Sequence, residues 1–246
     1  MRYVPGCVLI LSPKPATTDS LTQCYIGHRS LERAIQLFQK TYPGASKDQI
    51  IFSFHPFYRS PDAPTVGIPW EEAVDRKNGP ERVHAIRTRM ERVGRESGIL
   101  FSFNSKIGST RDCHRMFRHF ATPKGWEAEK ALIEKIFEAH FERNADITSH
   151  SVLAEMAKAA GVVEDESEVL EFLAGGQAGT KIDRLVEEAR KRGVRHVPTF
   201  EIGGSRVEGA EEAWGFYEAL VAAKEGVGEY NGGAKGALAA ERCGNN

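Results

Sequence analysis

The sequence predicts a layered α/β fold into which a long helical segment is inserted. Two apolar runs near the start, residues 7–12 and 49–57, predict strands on either side of a helix. Near the end of the chain, a helical pattern is followed by two short strands and a further helix. Residues 61–180, between these outer parts, are mostly helical in pattern. Alternating outer elements of this kind favour a sheet covered by helices.

The first predicted helix begins within the stretch TDSLTQCYIGHRSLERAI. Asp19 or Ser20 can cap it, because either side chain can accept a hydrogen bond from a free backbone N–H group. An apolar stripe then follows at helical spacing, and Pro43-Gly44 ends the helix. The stripe consists of Leu31, Ile35, Phe38 and Tyr42.

Five amphipathic stretches predict helices in the inserted segment. Pro80 starts the first of them and Gly98 ends it. Ser109 or Thr110 caps the second, STRDCHRMFRHFA. The remaining three stretches are WEAEKALIEKIFEAHFERNAD, SHSVLAEMAKAAG and DESEVLEFLAGG.

The last part of the chain predicts a helix, a hairpin and a closing helix. The helix KIDRLVEEARKRGV stops at Gly193, and the turn Gly203-Gly204 joins the strands HVPTFEIGG and SRVEG. The closing helix is AEEAWGFYEALVAAKEG. The sequence therefore predicts a discontinuous α/β domain, residues 1–60 and 181–225, an all-helical insertion over 61–180, and a flexible tail over 226–246.

Composition argues against several functional classes. The chain has 246 residues and a net charge of −1, so nothing favours binding to nucleic acid or to a membrane surface. No apolar stretch approaches the roughly 20 residues of a membrane helix, and the start does not read as a signal peptide. Cys7, Cys24, Cys113 and Cys243 lie far apart, without zinc spacing, so no metal is expected. We expect a reducing, cytoplasmic compartment.

Several stretches, taken in order and spacing, resemble the DsbA-like branch of the thioredoxin superfamily. They are CYIGHRSLERAI, FHPFYRSP, STRDCHR, VLAEMAKAAG and EEARKRGVRHVPTFEIGG. The branch includes FrnE-type proteins, which look nearest, kappa-class glutathione transferases and 2-hydroxychromene-2-carboxylate isomerases. The resemblance extends from about residue 8 to residue 221 and implies a thioredoxin fold.

The residues that would form the redox motif differ from those of the redox members of this branch. There, a C-P-W-C stretch opens the first helix, and its positions align here with Leu21, Thr22, Gln23 and Cys24. The attacking cysteine is therefore missing, and one thiol cannot form the internal disulfide of a dithiol enzyme. If Ser20 is the cap, Leu21 is the first helical residue, where a thiol would be acidic. Cys24, three residues further along, is expected to be less acidic and less exposed.

The start of the first helix can still attract an anion, because its free N–H groups and partial positive charge favour a thiolate, carboxylate or phosphate. In kappa-class transferases a serine at the position of Leu21 helps to hold the glutathione thiolate. Ser20 and Thr22 flank that position here and could supply the hydroxyl. The alternative is that Ser20 only caps the helix and that Thr22 is solvated.

The resemblance also implies that Pro198 follows a cis peptide bond, which is uncommon and marks a specified geometry. Val197 would then offer its backbone to a bound peptide or to glutathione. His196 lies beside this pair and could titrate near neutrality. The alternative for His196 is a solvated surface histidine.

Three further residues could complete a binding site. His55 ends the second strand, and His114 and Arg115 match a histidine-arginine pair of FrnE-type relatives. Arg115 could bind a carboxylate with its planar fork. The alternative for His114 and Arg115 is a role in helix packing or in a surface salt bridge.

Three functions remain open from the sequence. The first is a small-molecule enzyme, either a glutathione-dependent transferase or isomerase, or a thiol-independent catalyst. The second is a monothiol oxidoreductase that uses Cys24, and the third is a non-catalytic binding protein. Relatives are often homodimers, although no stretch here identifies an interface.

Overall fold

The computed structural model describes residues 7–11, 18–58 and 62–227, with the backbone alone for 7–11 and 18–21. Apart from its first two residues, the predicted tail lies outside the described residues, as does Cys243. The side chains of Cys7, Ser20 and Leu21 also lie outside the description.

Six strands form two sheets within residues 7–11, 18–58 and 62–227. They are β1 (Cys7–Leu11), β2 (Phe52–Pro56), β3 (Ile68–Pro69), β4 (Lys106–Ile107), β5 (Thr199–Ile202) and β6 (Ser205–Glu208). The main sheet has the order β2-β1-β5-β6, in which β1 is parallel to β2 and antiparallel to β5. A parallel pair needs a crossover connection, and the helix between β1 and β2 supplies it.

Nine α-helices surround the main sheet in the described residues. They are α1 (Thr18–Thr41), α2 (Trp70–Asn78), α3 (Pro80–Ser97), α4 (Arg111–Met116), α5 (Trp126–Phe141), α6 (His150–Ala159), α7 (Glu166–Ala174), α8 (Gly179–Lys191) and α9 (Ala213–Glu225). A π-helical turn, Phe117–Ala121, continues α4. The predicted α/β fold with a helical insertion is confirmed, while the domain boundaries stay a prediction.

The strand pairing brings three chain segments to one end of the main sheet. Leu11 pairs with Pro56 at the ends of β1 and β2, and Ile10 pairs with both His55 and Thr199. The ends of β1 and β2 therefore meet the start of β5. We call this end of the sheet, marked by Leu11, Pro56 and Thr199, the C-terminal edge.

Two parts of the insertion differ from the prediction. The insertion is not all-helical, because β3 and β4 form a two-stranded antiparallel sheet in which Ile68 pairs with Ile107. The helix α2 was not predicted, and it buries Trp70 and Val74. Two-residue strands are too short to show an alternating pattern, and α2 carries few apolar residues, so neither leaves a strong periodic signal.

Aromatic packing joins the insertion to the first helix. Tyr25 of α1 is buried, and its ring stacks on Phe141 at 5.6 Å and lies 5.1 Å from the ring of Phe137. The Tyr25 hydroxyl donates a hydrogen bond of 2.7 Å to Glu142. The insertion and the helix that carries Cys24 therefore share one core.

Candidate functional site

The first helix begins earlier than predicted. Its first residue is Thr18, so Asp19 and Ser20 lie inside the first turn and are not the cap. Polar and acidic residues are well tolerated there, because they face the positive end of the helix dipole. Leu21 is consequently the fourth helical residue, and its N–H group already enters the helical hydrogen-bond ladder. The free N–H groups lie before Leu21.

Cys24 and Thr22 are closed off from solvent. Cys24 is 0% exposed and Thr22 is 2% exposed. Thr22 borders a cavity of about 20 Å³ whose wall includes Trp70, Phe103 and His140 from the insertion. A cavity of this size holds about one water molecule. The alternative of a solvated Thr22 is therefore wrong, and the Cys24 thiol is buried.

The predicted proline loop lies at the C-terminal edge. The Val197–Pro198 peptide bond is cis, and both side chains are buried. The Pro198 carbonyl accepts a hydrogen bond of 2.8 Å from the N–H of Gly209, which fixes the loop against the end of β6. His196 is exposed, and its carbonyl accepts from the Thr199 hydroxyl at 2.7 Å. The His196 ring is therefore a solvated surface histidine, as the alternative interpretation of the sequence has it.

Gly27 lets the first helix approach this loop closely. A Cβ atom added at Gly27 would lie 2.9 Å from Cζ of Phe200 and 3.3 Å from Cγ of Pro198. Phe200 is fully buried in β5 and packs on Phe216 with ring centroids 4.6 Å apart, so it cannot move aside freely. A glycine inside a helix pattern often marks such close packing.

We therefore expect Gly27→Ala to destabilise the fold by about 1–2 kcal/mol, because overpacking outweighs the helix propensity gained. Denaturant unfolding monitored by circular dichroism measures this difference. The half-buried Ser30 on the same helix supplies a matched control, and Ser30→Ala should change stability by less than about 0.5 kcal/mol. A Gly27→Ala variant as stable as the parent would contradict the packing described.

Two histidines lie at the end of β2. His55 is half-buried, and burial, followed by the charges of Arg192 and Arg118, lowers its pKa. His114 is buried on α4, and burial lowers its pKa to about 4 although it bonds to the backbone of Phe57. Its Nε2 atom has no hydrogen-bond partner in the described part of the chain. Both rings are thus neutral at pH 7.

Arg115 does not face a substrate, and its predicted role as a carboxylate clamp is wrong. The side chain is buried, and Nε donates to the carbonyl of Gln177 at 2.6 Å. The remaining nitrogens donate to the carbonyls of Phe172 and Leu173, each at 3.2 Å, and to Asp112 at 2.7 Å. Phe172 and Leu173 belong to the last turn of α7, where carbonyl groups lack partners within the helix. The Leu173 carbonyl also accepts from the N–H of Gly176 at 3.3 Å. Arg115 therefore holds α4 against α7.

A polar network that the sequence did not reveal ties down the segment after β2. Arg111 donates to both carboxylate oxygens of Asp183, at 2.9 and 2.7 Å, and the Tyr58 hydroxyl donates to the same carboxylate. Hydrogen bonding from Arg111 lowers the pKa of Asp183, whereas burial raises the pKa of Tyr58. The network joins β2, α4 and α8, three elements far apart in sequence. No local spacing could have predicted it.

A larger cavity lies away from the C-terminal edge. A groove of about 620 Å³ runs between α1 and α5, beside the start of β2. Its walls include Glu32, Phe52, Trp126, Lys130 and Glu134. Phe52 pairs with Cys7, at the opposite end of β1 from the proline loop. The groove is therefore separate from the predicted site, and we refer to it as the α1–α5 groove.

The family of DSBA-like thioredoxin domains matches residues 23–221. The chain belongs to the DSBA-like thioredoxin domain family. Among curated proteins, no relative matches the chain. The matched residues of this DSBA-like chain include Cys24 and the Val197–Pro198 loop but begin after Leu21 and Thr22.

Three solved structures share the fold of this DSBA-like chain. A probable DsbA oxidoreductase from Streptomyces coelicolor has a TM-score of 0.74 and 22% identity, over 89% of this chain and 90% of that one. A 2-hydroxychromene-2-carboxylate isomerase has a TM-score of 0.57 and 14% identity, over 91% and 99%. The cytosolic disulfide reductase DsbM from Pseudomonas aeruginosa has a TM-score of 0.51 and 13% identity, over 89% and 96%.

The structure thus brings together only part of the predicted site of this DSBA-like chain. Val197, Pro198 and His55 lie at the same end of the sheet, but β1 separates His55 from the proline loop. The pocket of about 20 Å³ beside His55 is lined by His114 and not by Val197 or Pro198. Arg115 is instead buried and joins α4 to α7. None of the described helices combines the length and apolar character needed to cross a bilayer.

Proposed function

We propose that this DsbA-like protein is a glutathione-dependent enzyme that binds glutathione at the C-terminal edge and does not use its own Cys24. It would use glutathione in a transferase or isomerase reaction on a small organic substrate. One observation carries the proposal: Cys24 is fully buried while the cis Val197–Pro198 loop is retained. A scaffold of this family that lacks an accessible dithiol still keeps the backbone groups that bind a thiol ligand.

Each part of the edge would have a distinct role. The free N–H groups at the start of α1 attract the glutathione thiolate, and the backbone of Val197 pairs with the glutathione peptide. Ser20 remains the candidate hydroxyl donor, because Thr22 is buried beneath the insertion. His55 is neutral at pH 7 and half-buried, so it could accept the thiol proton. Cys24 would take no part in the reaction.

The monothiol alternative has little support, because a nucleophilic cysteine needs access and a positive environment. The non-catalytic alternative has a specific observation in its favour. The space beside Thr22 holds about one water molecule, so no organic substrate fits there without movement of the insertion.

The proposal also includes a reducing, cytoplasmic compartment. The sequence contains no C-x-x-C pair that could form a disulfide in an oxidising compartment.

Isothermal titration with glutathione, followed by a conjugation assay with 1-chloro-2,4-dinitrobenzene, tests the proposal. We expect a dissociation constant near or below about 1 mM. Cys24→Ala should keep both binding and turnover, and Pro198→Ala should weaken binding by at least about tenfold, or 1.4 kcal/mol. The exposed Arg184 provides a control, since Arg184→Ala should change neither.

The outcomes separate the three functions. Binding with turnover that survives Cys24→Ala supports the proposal. Conjugation lost with Cys24→Ala identifies a monothiol enzyme, and binding with no conjugation favours a binding protein over a transferase. No glutathione binding at all would refute the proposal.

A further inference from the structure

A buried histidine without a hydrogen-bond partner among the described residues lies behind two residues that line the α1–α5 groove, Glu32 and Glu134. His28 of α1 is 0% exposed and lies among the rings of Phe54 and Phe137, with centroids 6.3 and 6.0 Å away. Neither ring nitrogen has a hydrogen-bond partner within the described residues. Buried polar atoms in folded proteins are nearly always partnered, so this ring indicates a missing ligand.

The His28 ring points at two carboxylates that open onto the groove. Nε2 lies 3.5 Å from Oε1 of Glu134 and 3.9 Å from Oε2 of Glu32. Glu32 follows His28 by one helical turn on α1, and Glu134 comes from α5. The three ligand atoms lie within 4.8 Å of one another. Side chains from two packed helices thus converge on one point.

A positive charge already occupies this point. Lys130 of α5 places Nζ 2.7 Å from Oε1 of Glu32 and forms a second, shorter ion pair with Glu134. Arg29 is also 3.4 Å from Oε2 of Glu32. Both the geometry and the charge therefore suit a cation.

We propose that His28, Glu32 and Glu134 bind a divalent transition-metal ion of the Zn²⁺ class, for which the Lys130 ammonium is the competing cation. One imidazole and two carboxylates are ordinary zinc ligands, and tetrahedral ligand atoms about 2.0–2.2 Å from a metal lie roughly 3.4 Å apart. The two His28 distances are close to that value. The expectation that no metal binds rested on the spacing of cysteines and histidines along the sequence, which does not reveal carboxylates that a distant helix supplies.

The α1–α5 groove would give the ion an entry path and an open coordination position. Lys130 is 27% exposed and lines the groove, so its flexible side chain can swing outward. His28, by contrast, approaches the ion from the protein interior. Three protein ligands with a fourth position open to solvent are typical of catalytic rather than structural zinc sites. This site is independent of glutathione binding at the C-terminal edge.

Titration of the full chain, without an affinity tag, with Zn²⁺ and separately with Mg²⁺ tests this proposal. We expect one Zn²⁺ per chain and much weaker Mg²⁺ binding, since imidazole favours zinc. Glu134→Gln should weaken Zn²⁺ binding at least about tenfold, and Lys130→Met should strengthen it about tenfold because the competing charge is removed. Lys135→Met, on the same helix and paired with Glu138, is the matched control and should change nothing.

Cobalt substitution gives a second readout, because Co²⁺ bound at this site should show visible d–d absorption that Glu134→Gln abolishes. If Glu134→Gln does not fold by circular dichroism, Glu32→Gln replaces it. The proposal is wrong if neither the parent nor Lys130→Met binds Zn²⁺ saturably. It is equally wrong if Glu134→Gln leaves Zn²⁺ binding intact, which would assign the ion to other residues, or if Mg²⁺ binds as tightly as Zn²⁺.

Discussion

Arg115→Met should lower the free energy of unfolding by about 2–3 kcal/mol, because the variant removes the charged donor of several hydrogen bonds in the core. The Asp112 carboxylate would lose its 2.7 Å partner but keep His150 at 2.8 Å, and three carbonyl groups near the end of α7 would each lose a donor. Methionine is similar in length, so lost packing contributes little. Denaturant unfolding measures the change.

Arg115→Lys tests whether the planar guanidinium group, rather than the positive charge alone, stabilises the fold. Lysine keeps the charge but cannot reach Asp112, Phe172 and Gln177 together, so we expect it to recover only part of the loss. The exposed Arg184 pairs with Glu188 on the surface, and Arg184→Ala should cost less than about 1 kcal/mol. If Arg115→Met cost no more than Arg184→Ala, Arg115 would not be the core residue described here.

Stability should fall as pH drops from about 6.5 to about 4, with His114 contributing about 3 kcal/mol. Burial lowers the pKa of His114 to about 4 in the folded protein, whereas the unfolded chain has the ordinary value near 6.5. Between these values the unfolded state binds the proton and the folded state does not. The stabilisation is therefore complete above pH 6.5 and lost as pH approaches the folded value.

Urea denaturation at several pH values measures this slope. His114→Asn can keep a donor toward the backbone of Phe57 but cannot titrate. The free energy of unfolding should therefore fall less between pH 6.5 and pH 4 in this variant. His140 is also buried with a lowered pKa, and it should leave a residual slope. The exposed His84 is the control, and His84→Asn should leave the profile unchanged. An unchanged slope in His114→Asn would contradict the assignment.

The sequence predicts the elements of this fold well where one local signal decides them. Pro80 and Gly98 bound α3 as predicted, and Gly203-Gly204 makes the turn of the β5–β6 hairpin with positive φ angles of 57° and 94°. The start of α1 was placed too late, because several consecutive polar residues can cap a helix and the pattern does not choose among them.

The site was harder to predict than the fold, because packing between residues far apart in sequence decides which side chains lie in it. Arg115 and His114 lie in a motif that suggested ligand binding, yet α7 covers the first and β2 buries the second. The His28–Glu32 spacing was visible as a one-turn pair on a helix. Nothing local shows that Glu134, about a hundred residues later, completes that group. Contacts of this kind depend on how α5 docks on α1.

The stacking of Tyr25 on Phe141 has a consequence for motion. Any opening that separated the insertion from α1 would expose Tyr25, Phe137 and Phe141 to water. Each such ring buries about 150–250 Å², so the open form would be rare. Hydrogen exchange at the backbone N–H of Tyr25 should consequently follow global unfolding rather than a hinge.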